Sequence, residues 1–168
     1  MKSMAPAILA GDCIIVDVQY YQANNPQRGD VIVFQYPEDP KRIFIKRVIA
    51  VGGDVVELKD KIVYLNGKAI DDPHAYHSDH SILPCGKKQA EKIGTGELFS
   101  YSVMTCEEPR DNYGPSTVAS WNYFVMGDNR DQSFDSRHWG YVHKGYIVGK
   151  PLYLYWSNDK DRIGMKIE

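Results

Sequence analysis

Long apolar runs are missing from this sequence of 168 residues. A helix that spans a bilayer needs about 20 consecutive apolar residues, so we expect no part of this chain to cross a membrane. A secretory signal peptide is not recognisable either. Clusters of Lys and Arg are also missing, and the net charge is −2. Proteins that bind nucleic acid usually carry a basic patch, so we expect no nucleic-acid partner.

Sustained helical periodicity is the next absence, and the best short helical candidate lies around residues 89–93. Most periodic segments are instead short and rich in branched and aromatic residues, which is typical of β-strands. These segments span residues 13–18, 30–36, 43–51, 55–58, 62–65, 98–105, 122–126 and 146–156. Their close spacing predicts an all-β fold with a coiled antiparallel sheet or a barrel-like core.

Turn signals divide the predicted strands, and one long region interrupts them. Residues 59–61 and the pair Asn66-Gly67 are typical of hairpin turns. From residue 71 to residue 120 the sequence is polar, rich in loops and contains four prolines. We interpret 71–120 as an inserted, loop-rich smaller lobe, while 1–70 and 121–168 form the main β core.

Cysteine is scarce, with three residues in the chain. Cys13 lies in an apolar run, which predicts a small buried side chain. Cys85 and Cys106 flank a Gly-rich segment, and in an oxidising compartment they could form a disulfide. The sequence leaves that pairing open.

Metal-ligand spacing is also absent, because no C-x-x-C pair or zinc pattern occurs. His74, His77 and His80 lie three residues apart, but Pro73 and the lack of a helical pattern leave nothing to fix the ring geometry. The acidic loop 128–135 fails the spacing of a calcium loop. We therefore expect no metal site.

Aromatic residues, in contrast, are plentiful, with twelve Tyr and three Trp. This abundance fits the composition of a β-sheet. It also fits a rim of Tyr and Trp that touches a membrane interface. The sequence alone leaves both interpretations open.

Lys46 is the first candidate for chemistry. It lies in the predicted strand 43–51, where side-chain alternation puts it on one face with Phe44 and Val48. An apolar face disfavours the charged ammonium and lowers the lysine pKa. A general base needs a pKa of roughly 7–8, about 3 units below that of a free lysine. The competing interpretation is a lysine at a strand edge with its head in water.

Two further segments complete a possible catalytic set. Ser3 lies at the beginning of the chain, and residues 127–137 form a loop of mixed Asp and Arg content. Such a loop predicts a rigid, internally hydrogen-bonded turn that could hold a hydroxyl against a neutral amine. Together the three segments indicate a serine nucleophile that a lysine activates.

The ordered segments resemble those of the type I signal peptidases, the bacterial leader peptidase family. Residues 3–8 are similar to the nucleophile block Ser-Met-x-Pro-Thr-Leu of that family, and 28–34 to its strand block. Residues 44–54 resemble its lysine block, and 127–140 its last and most specific block. Two positions depart from the pattern. Ala7 replaces a Thr, and Met1 stands where a Ser hydroxyl often donates to the oxyanion.

The resemblance implies a role for each matching catalytic residue. Ser3 would be the nucleophile, and its backbone N–H would donate to the oxyanion. Lys46 would be the general base and later the proton donor to the leaving amine. Ser133 would hydrogen-bond the Lys46 amine and orient it.

The resemblance also implies supporting and substrate-binding residues. An ion pair of Asp135 and Arg137 would support Ser133, and Arg47 and Asp128 would be structural. The shallow apolar pockets for small substrate side chains would be lined by Met4, Ile8, Phe44 and Ile45.

The resemblance further implies a serine endopeptidase that needs no metal or cofactor and cleaves signal peptides after an Ala-x-Ala-like site. Its partners would be the signal-peptide region of secretory preproteins and the membrane surface. The full-length protein would be anchored in the cytoplasmic (inner) membrane, with this domain on the outer, periplasmic or extracellular, face. We expect that an upstream anchor is missing here, because a nucleophile at Ser3 has almost no structure before it.

Three alternatives use the same residues differently. A self-cleaving repressor-type Ser–Lys protease shares the dyad, but no DNA-binding module accompanies it here. A peptide-binding module would carry the dyad in an idle form. A purely structural β-domain of the cell envelope would leave the apolar surroundings of Lys46 unexplained.

Overall fold

The computed structural model describes residues 2–83, 86–88, 103–105 and 109–168. Its strands in chain order are β1 (Cys13–Asp17), β2 (Val31–Tyr36), β3 (Asp39–Val51), β4 (Val55–Lys59), β5 (Ile62–Leu65), β6 (Lys68–Ala69), β7 (Gly86–Lys88), β8 (Val103–Thr105), β9 (Tyr113–Thr117), β10 (Asn122–Met126), β11 (Val142–His143) and β12 (Ile147–Trp156). Two short helices, α1 (Tyr20–Ala23) and α2 (Ser136–Trp139), and three 3₁₀ turns at Arg130–Gln132, Lys144–Tyr146 and Lys160–Arg162 complete the set. The prediction of an all-β fold is confirmed.

The largest sheet has six antiparallel strands in the order β1-β12-β2-β3-β10-β11. A second sheet has the order β6-β5-β4-β9, and β7 pairs with β8. Over the described ranges the six-stranded sheet is open, with β1 and β11 at its edges, so the barrel-like form is not a closed barrel. No helix in these ranges has the length and apolarity that crossing a bilayer requires.

Local sequence explains the tight connections between strands. Asp60 and Lys61 have φ of 48° and 73°, and Asn66 and Gly67 have 52° and 78°. Two successive positive φ values define the turn whose twist matches a β-hairpin. The 59–61 and Asn66-Gly67 turn predictions are therefore confirmed.

Apolar side chains form clusters on the two faces of β3. Phe34 and Val48 are buried in a cluster that Phe44 and Trp139 cover. Met4, Val31 and Leu154 form another cluster, which Ile45 borders. Successive residues of β3 therefore face opposite sides of the sheet, as alternation along a strand requires.

Cys13 corrects one prediction, because its side chain is exposed rather than buried. Its strand β1 lies at the edge of the sheet and pairs only with β12 in the described structure. An edge strand covers one side of its residues less completely than a central strand, so the apolar run around Cys13 is only partly buried. Cys85 and Cys106 lie outside the described residues, and their disulfide stays a prediction.

The division into a core and an inserted lobe also stays a prediction. Of the proposed lobe, 71–120, the part before β7 runs back to the loop that follows β10, where Tyr76 bridges to Asn129. The part after β8 contributes β9, which pairs with β4 of the second sheet.

Candidate active site

Ser3 and Lys46 meet although 43 residues separate them in sequence. The Lys46 Nζ atom lies 2.8 Å from the Ser3 Oγ atom, within hydrogen-bond distance. Lys46 projects from the middle of β3, and Ser3 lies in the turn that precedes β1. Their exposed fractions are 4% and 8%. The pair is therefore shielded from bulk water and correctly spaced for proton transfer.

The surroundings of Lys46 favour its neutral amine. Burial lowers the Lys46 pKa from its usual 10.5 to about 8, and the positive charge of Arg137 acts in the same direction. The carboxylates of Asp135 and Asp128 oppose this shift, but burial is the larger effect. The amine also hydrogen-bonds the Ile45 carbonyl at 3.2 Å. A lysine with this pKa can accept a proton near neutral pH.

The backbone of Ser3 is held by the loop that follows β10. The Asn129 N–H donates to the Ser3 carbonyl at 3.0 Å. Gly127 lies so close that a Cβ atom there would be 2.3 Å from the Ser3 carbonyl oxygen and 2.4 Å from the Ser133 Oγ atom. Only glycine permits this approach. The Ser3 N–H donates no hydrogen bond to the described residues, which leaves it available to an oxyanion.

Ser133 lies on the other side of Gly127. Its Oγ atom accepts a hydrogen bond from the Gly127 N–H at 3.1 Å, and its hydroxyl also hydrogen-bonds the carboxylate of Asp135. Within the described residues, the Lys46 amine bonds Ser3 and Ile45 rather than Ser133. The orienting role of Ser133 toward Lys46 stays a prediction.

Asp135 and Arg137 form a buried ion pair behind Ser133. The Arg137 Nε and Nη2 atoms each lie 2.9 Å from an Asp135 carboxylate oxygen, and the Gly127 N–H donates to Asp135 at 3.0 Å. Burial alone would raise the Asp135 pKa, but Arg137 and these hydrogen bonds lower it overall. Arg137 also donates to the Arg130 carbonyl, so the pair fixes the shape of the loop.

Arg47 and Asp128 form a second buried pair, adjacent to the Ser3–Lys46 contact. The guanidinium makes two parallel hydrogen bonds of 2.7 Å to the carboxylate. It also donates to the carbonyls of Gly29 and Glu168. Removing one partner of such a pair typically costs about 3–5 kcal/mol, because an unpaired charge stays buried. The structural role of both residues stays a prediction.

The four predicted substrate-binding residues lie on both faces of β3. Met4 and Ile8 are buried in one cluster, which Ile45 borders. Phe44 is half-buried on the opposite face, with its ring centroid 5.4 Å from the Lys46 Nζ atom. Ile45 therefore has Met4 and Ile8 beside it, whereas Phe44 does not. The pocket role of these residues stays a prediction.

The first half of β3 offers a free edge next to Lys46. Strand β10 pairs with β3 only from Arg47 to Val51, and then the chain turns away at Gly127. Within the described structure, residues 39–46 have a β-strand partner on one side alone, which is β2. Unpaired backbone groups of this kind can bind an extended peptide by strand addition.

Sequence reasoning had not singled out Gly127 and Asn129, although both lie in the last block. A glycine after a strand usually indicates a turn. The residues next to Gly127 in sequence do not reveal that the Ser3 backbone packs closely against it. It also missed an ion cluster beside the site, in which Lys61 and Asp131 are 2.7 Å apart and Arg110 contacts Asp111. Within the described ranges, no three His, Cys, Asp or Glu residues are grouped as metal ligands.

Comparisons with known proteins converge on one family. Residues 1–156 match the family described as "Signal peptidase, peptidase S26". Signal peptidase I of Bacillus caldolyticus is 36% identical over 92% of this chain and 75% of that protein. Signal peptidase I of Aquifex aeolicus is 33% identical over 92% of this chain and 73% of that protein. A solved signal peptidase I from Enterococcus faecalis V583 superposes with a TM-score of 0.50 at 28% identity, over 76% of this chain and 97% of that one.

Proposed function

Since the chain belongs to the signal peptidase family, peptidase S26, we propose that it is a serine endopeptidase with a Ser3–Lys46 dyad. Its substrates are secretory preproteins, which it cleaves after an Ala-x-Ala-like site at the end of the signal peptide. The main observation in support of the dyad is the 2.8 Å contact between a buried lysine amine and a serine hydroxyl.

The first half of the reaction forms an acyl-enzyme. Neutral Lys46 removes the proton from the Ser3 hydroxyl as the oxygen attacks the carbonyl carbon of the scissile bond. The tetrahedral intermediate carries a negative oxygen, to which the Ser3 N–H donates. Protonated Lys46 then gives its proton to the nitrogen of the leaving chain, and the C–N bond breaks. The mature protein departs with a free amine.

The second half regenerates the enzyme. Lys46, again neutral, removes a proton from a water molecule that attacks the ester carbonyl. The second tetrahedral intermediate collapses, and the proton on Lys46 passes to the Ser3 oxygen as the ester bond breaks. The signal peptide leaves with a free carboxylate. One water molecule is consumed, and no cofactor enters either half.

The geometry around β3 supports an extended substrate. We place the peptide along the free edge of residues 39–46, with its small side chains toward Ile45 and the Met4 cluster. Side chains alternate along the bound strand, so two small residues separated by one of any type would face the same side. An Ala-x-Ala pattern has this spacing.

Cleavage of a preprotein with an Ala-x-Ala site, measured from about pH 3.5 to about pH 9, tests the proposal. The base must be neutral, so kcat/KM should fall about tenfold per pH unit below about 8, the pKa of Lys46. Mass spectrometry should locate the cut after the second small residue. A profile with its acid limb near pH 4–5 would indicate a carboxylate base and contradict the dyad, and a cut elsewhere would contradict the specificity.

We also propose that the domain works at the outer face of the cytoplasmic membrane and touches the lipid directly. Tyr153, Tyr155 and Trp156 at the end of β12 are 42%, 61% and 50% exposed. Tyr and Trp are enriched at membrane interfaces. Leu154 of the same strand packs in one cluster with Met4, so this end of β12 lies close to the Ser3 turn.

Vesicle binding tests this membrane contact. Trp156→Asn should lower partitioning onto phosphatidylethanolamine–phosphatidylglycerol vesicles about fivefold, equivalent to about 1 kcal/mol of lost apolar burial. Trp121→Asn is the matched control, because Trp121 is 60% exposed but precedes β10, at the end away from Gly127. Sedimentation of each variant with vesicles measures its partition coefficient relative to that of wild type. Equal losses in the two variants would contradict a membrane contact at β12.

A further inference from the structure

An aromatic surface continues from Lys46 along one face of β3. Tyr36 and Phe44 stack with their ring centroids 4.8 Å apart, and Phe134 meets the edge of Tyr36 at 6.2 Å. We call these three residues the ring wall. Phe134 directly follows Ser133, and 51% of its side chain is exposed. The ring wall therefore reaches from the dyad into solvent.

Arg42 lies on the ring wall, with its guanidinium over two aromatic rings. Its guanidinium carbon is 5.1 Å from the Phe44 centroid and 5.5 Å from that of Tyr36. The other six arginines of the chain each pair with a carboxylate, whereas Arg42 forms no ion pair with the described residues. The two acidic residues nearest in sequence have other partners, because Glu38 accepts from Tyr36 and Asp39 from the Lys41 N–H.

The position of Arg42 on β3 determines which substrate side chains it can contact. Phe44 separates Arg42 from the Lys46 amine, and both cations contact its ring. Neighbouring strands direct their paired side chains to the same face. The small residues of an Ala-x-Ala site are the first and third residues before the scissile bond. If these two face Ile45, then the second and fourth residues before the bond face Phe44 and Arg42.

We propose that Arg42 and the ring wall form a specificity subsite for an acidic side chain at the second or fourth residue before the scissile bond. The inference rests on the proposed function, and it adds a substrate preference for Glu or Asp at one of these positions. A guanidinium that lies on aromatic rings keeps its in-plane N–H groups free, and these groups match a carboxylate in geometry. The ring wall would also contact the methylene groups of the acidic side chain.

Paired peptides that span an Ala-x-Ala site test the subsite. Each peptide carries Glu, Gln or Lys at the second or the fourth residue before the bond. For wild type, the Glu peptide should exceed the Gln peptide in kcat/KM by about two- to fivefold at one of the two positions, as expected for an exposed ion pair. Arg42→Gln should equalise the two peptides, and Arg42→Glu should prefer the Lys peptide. The wild-type preference should weaken at high salt.

Lys41→Gln is the matched control, because it removes the same charge from the adjacent exposed residue of β3 on the opposite face. It should keep the wild-type preference for Glu. The subsite would be overturned if wild type and Arg42→Gln had equal Glu-to-Gln ratios of kcat/KM at both positions. It would also be overturned if Lys41→Gln lost the preference for Glu as fully as Arg42→Gln does. In either case, cleavage of the Gln peptides would still support the peptidase. Failure of wild type to cleave any peptide would instead count against the proposed function.

Discussion

Ser3→Ala and Lys46→Ala should each lower kcat/KM for preprotein cleavage by at least about 10³-fold, since general-base catalysis alone contributes about 10²–10⁴. Lys46→Met should fail equally, although it keeps an apolar chain of similar length in the buried site. Residues that act as one unit give non-additive losses, so the double variant should be no worse than either single variant. Product formation followed by mass spectrometry measures all four.

Two controls separate chemistry from folding in this experiment. Lys68→Ala and Ser120→Ala remove a lysine and a serine that are exposed and lie outside the proposed peptide edge, and both should retain full activity. A reagent that acylates nucleophilic serines should label Ser3 in wild type and lose that labelling in Lys46→Ala. Cleavage that survives Lys46→Ala would mean that another group is the base. A wild type that neither cleaves nor becomes labelled would favour the idle peptide-binding module.

Gly127→Ala should have the next largest effect, a loss of at least about 100-fold in kcat. The added methyl would lie 2.3 Å from the Ser3 carbonyl oxygen and 2.7 Å from the Ser133 Cβ atom. Neither neighbour is a flexible side-chain end, so the Ser3 turn must shift. A displacement of about 1 Å at a reacting group can cost about 10²-fold in rate. Single-turnover kinetics on a preprotein measure the loss.

Gly145→Ala is the matched control for this substitution. A Cβ at Gly145 would come no closer than 3.3 Å, to a side-chain atom of His143, so activity should stay near the wild-type value. Overpacking at Gly127 should lower the free energy of unfolding by about 1–3 kcal/mol, which thermal denaturation would register without loss of the fold. A kcat for Gly127→Ala within threefold of wild type would contradict the proposed positioning of Ser3.

Side-chain alternation made much of the fold and the position of Lys46 predictable. The predicted segments 62–65 and 122–126 coincide with β5 and β10. The apolar neighbours of Lys46 indicated a buried amine, which agrees with its exposed fraction of 4%. Both features depend on residues close in sequence, and local patterns are informative about such features.

Features that depend on distant residues were not predictable. Cys13 is exposed because β1 lies at a sheet edge, and its apolar neighbours do not reveal strand order. β3 begins at Asp39, before Pro40, because an edge of that strand has no partner on one side and tolerates a missing N–H. β9 contains Gly114 and Pro115, which weakened any strand signal. The role of Gly127 depends on Ser3, 124 positions earlier in the chain.

The hydrogen bonds of two adjacent residues in β3 also indicate at which stage of protein synthesis the active site can assemble. Lys46 holds Ser3, 43 residues before it, while Arg47 binds Asp128 and Glu168, which are 81 and 121 residues after it. Contacts with such large sequence separation form late and slowly. A chain emerging from the ribosome with Ser3 and Lys46 already complete still lacks the loop that supports them. We therefore expect the contacts that support the Ser3–Lys46 site to be complete only after nearly all of this domain has been translated.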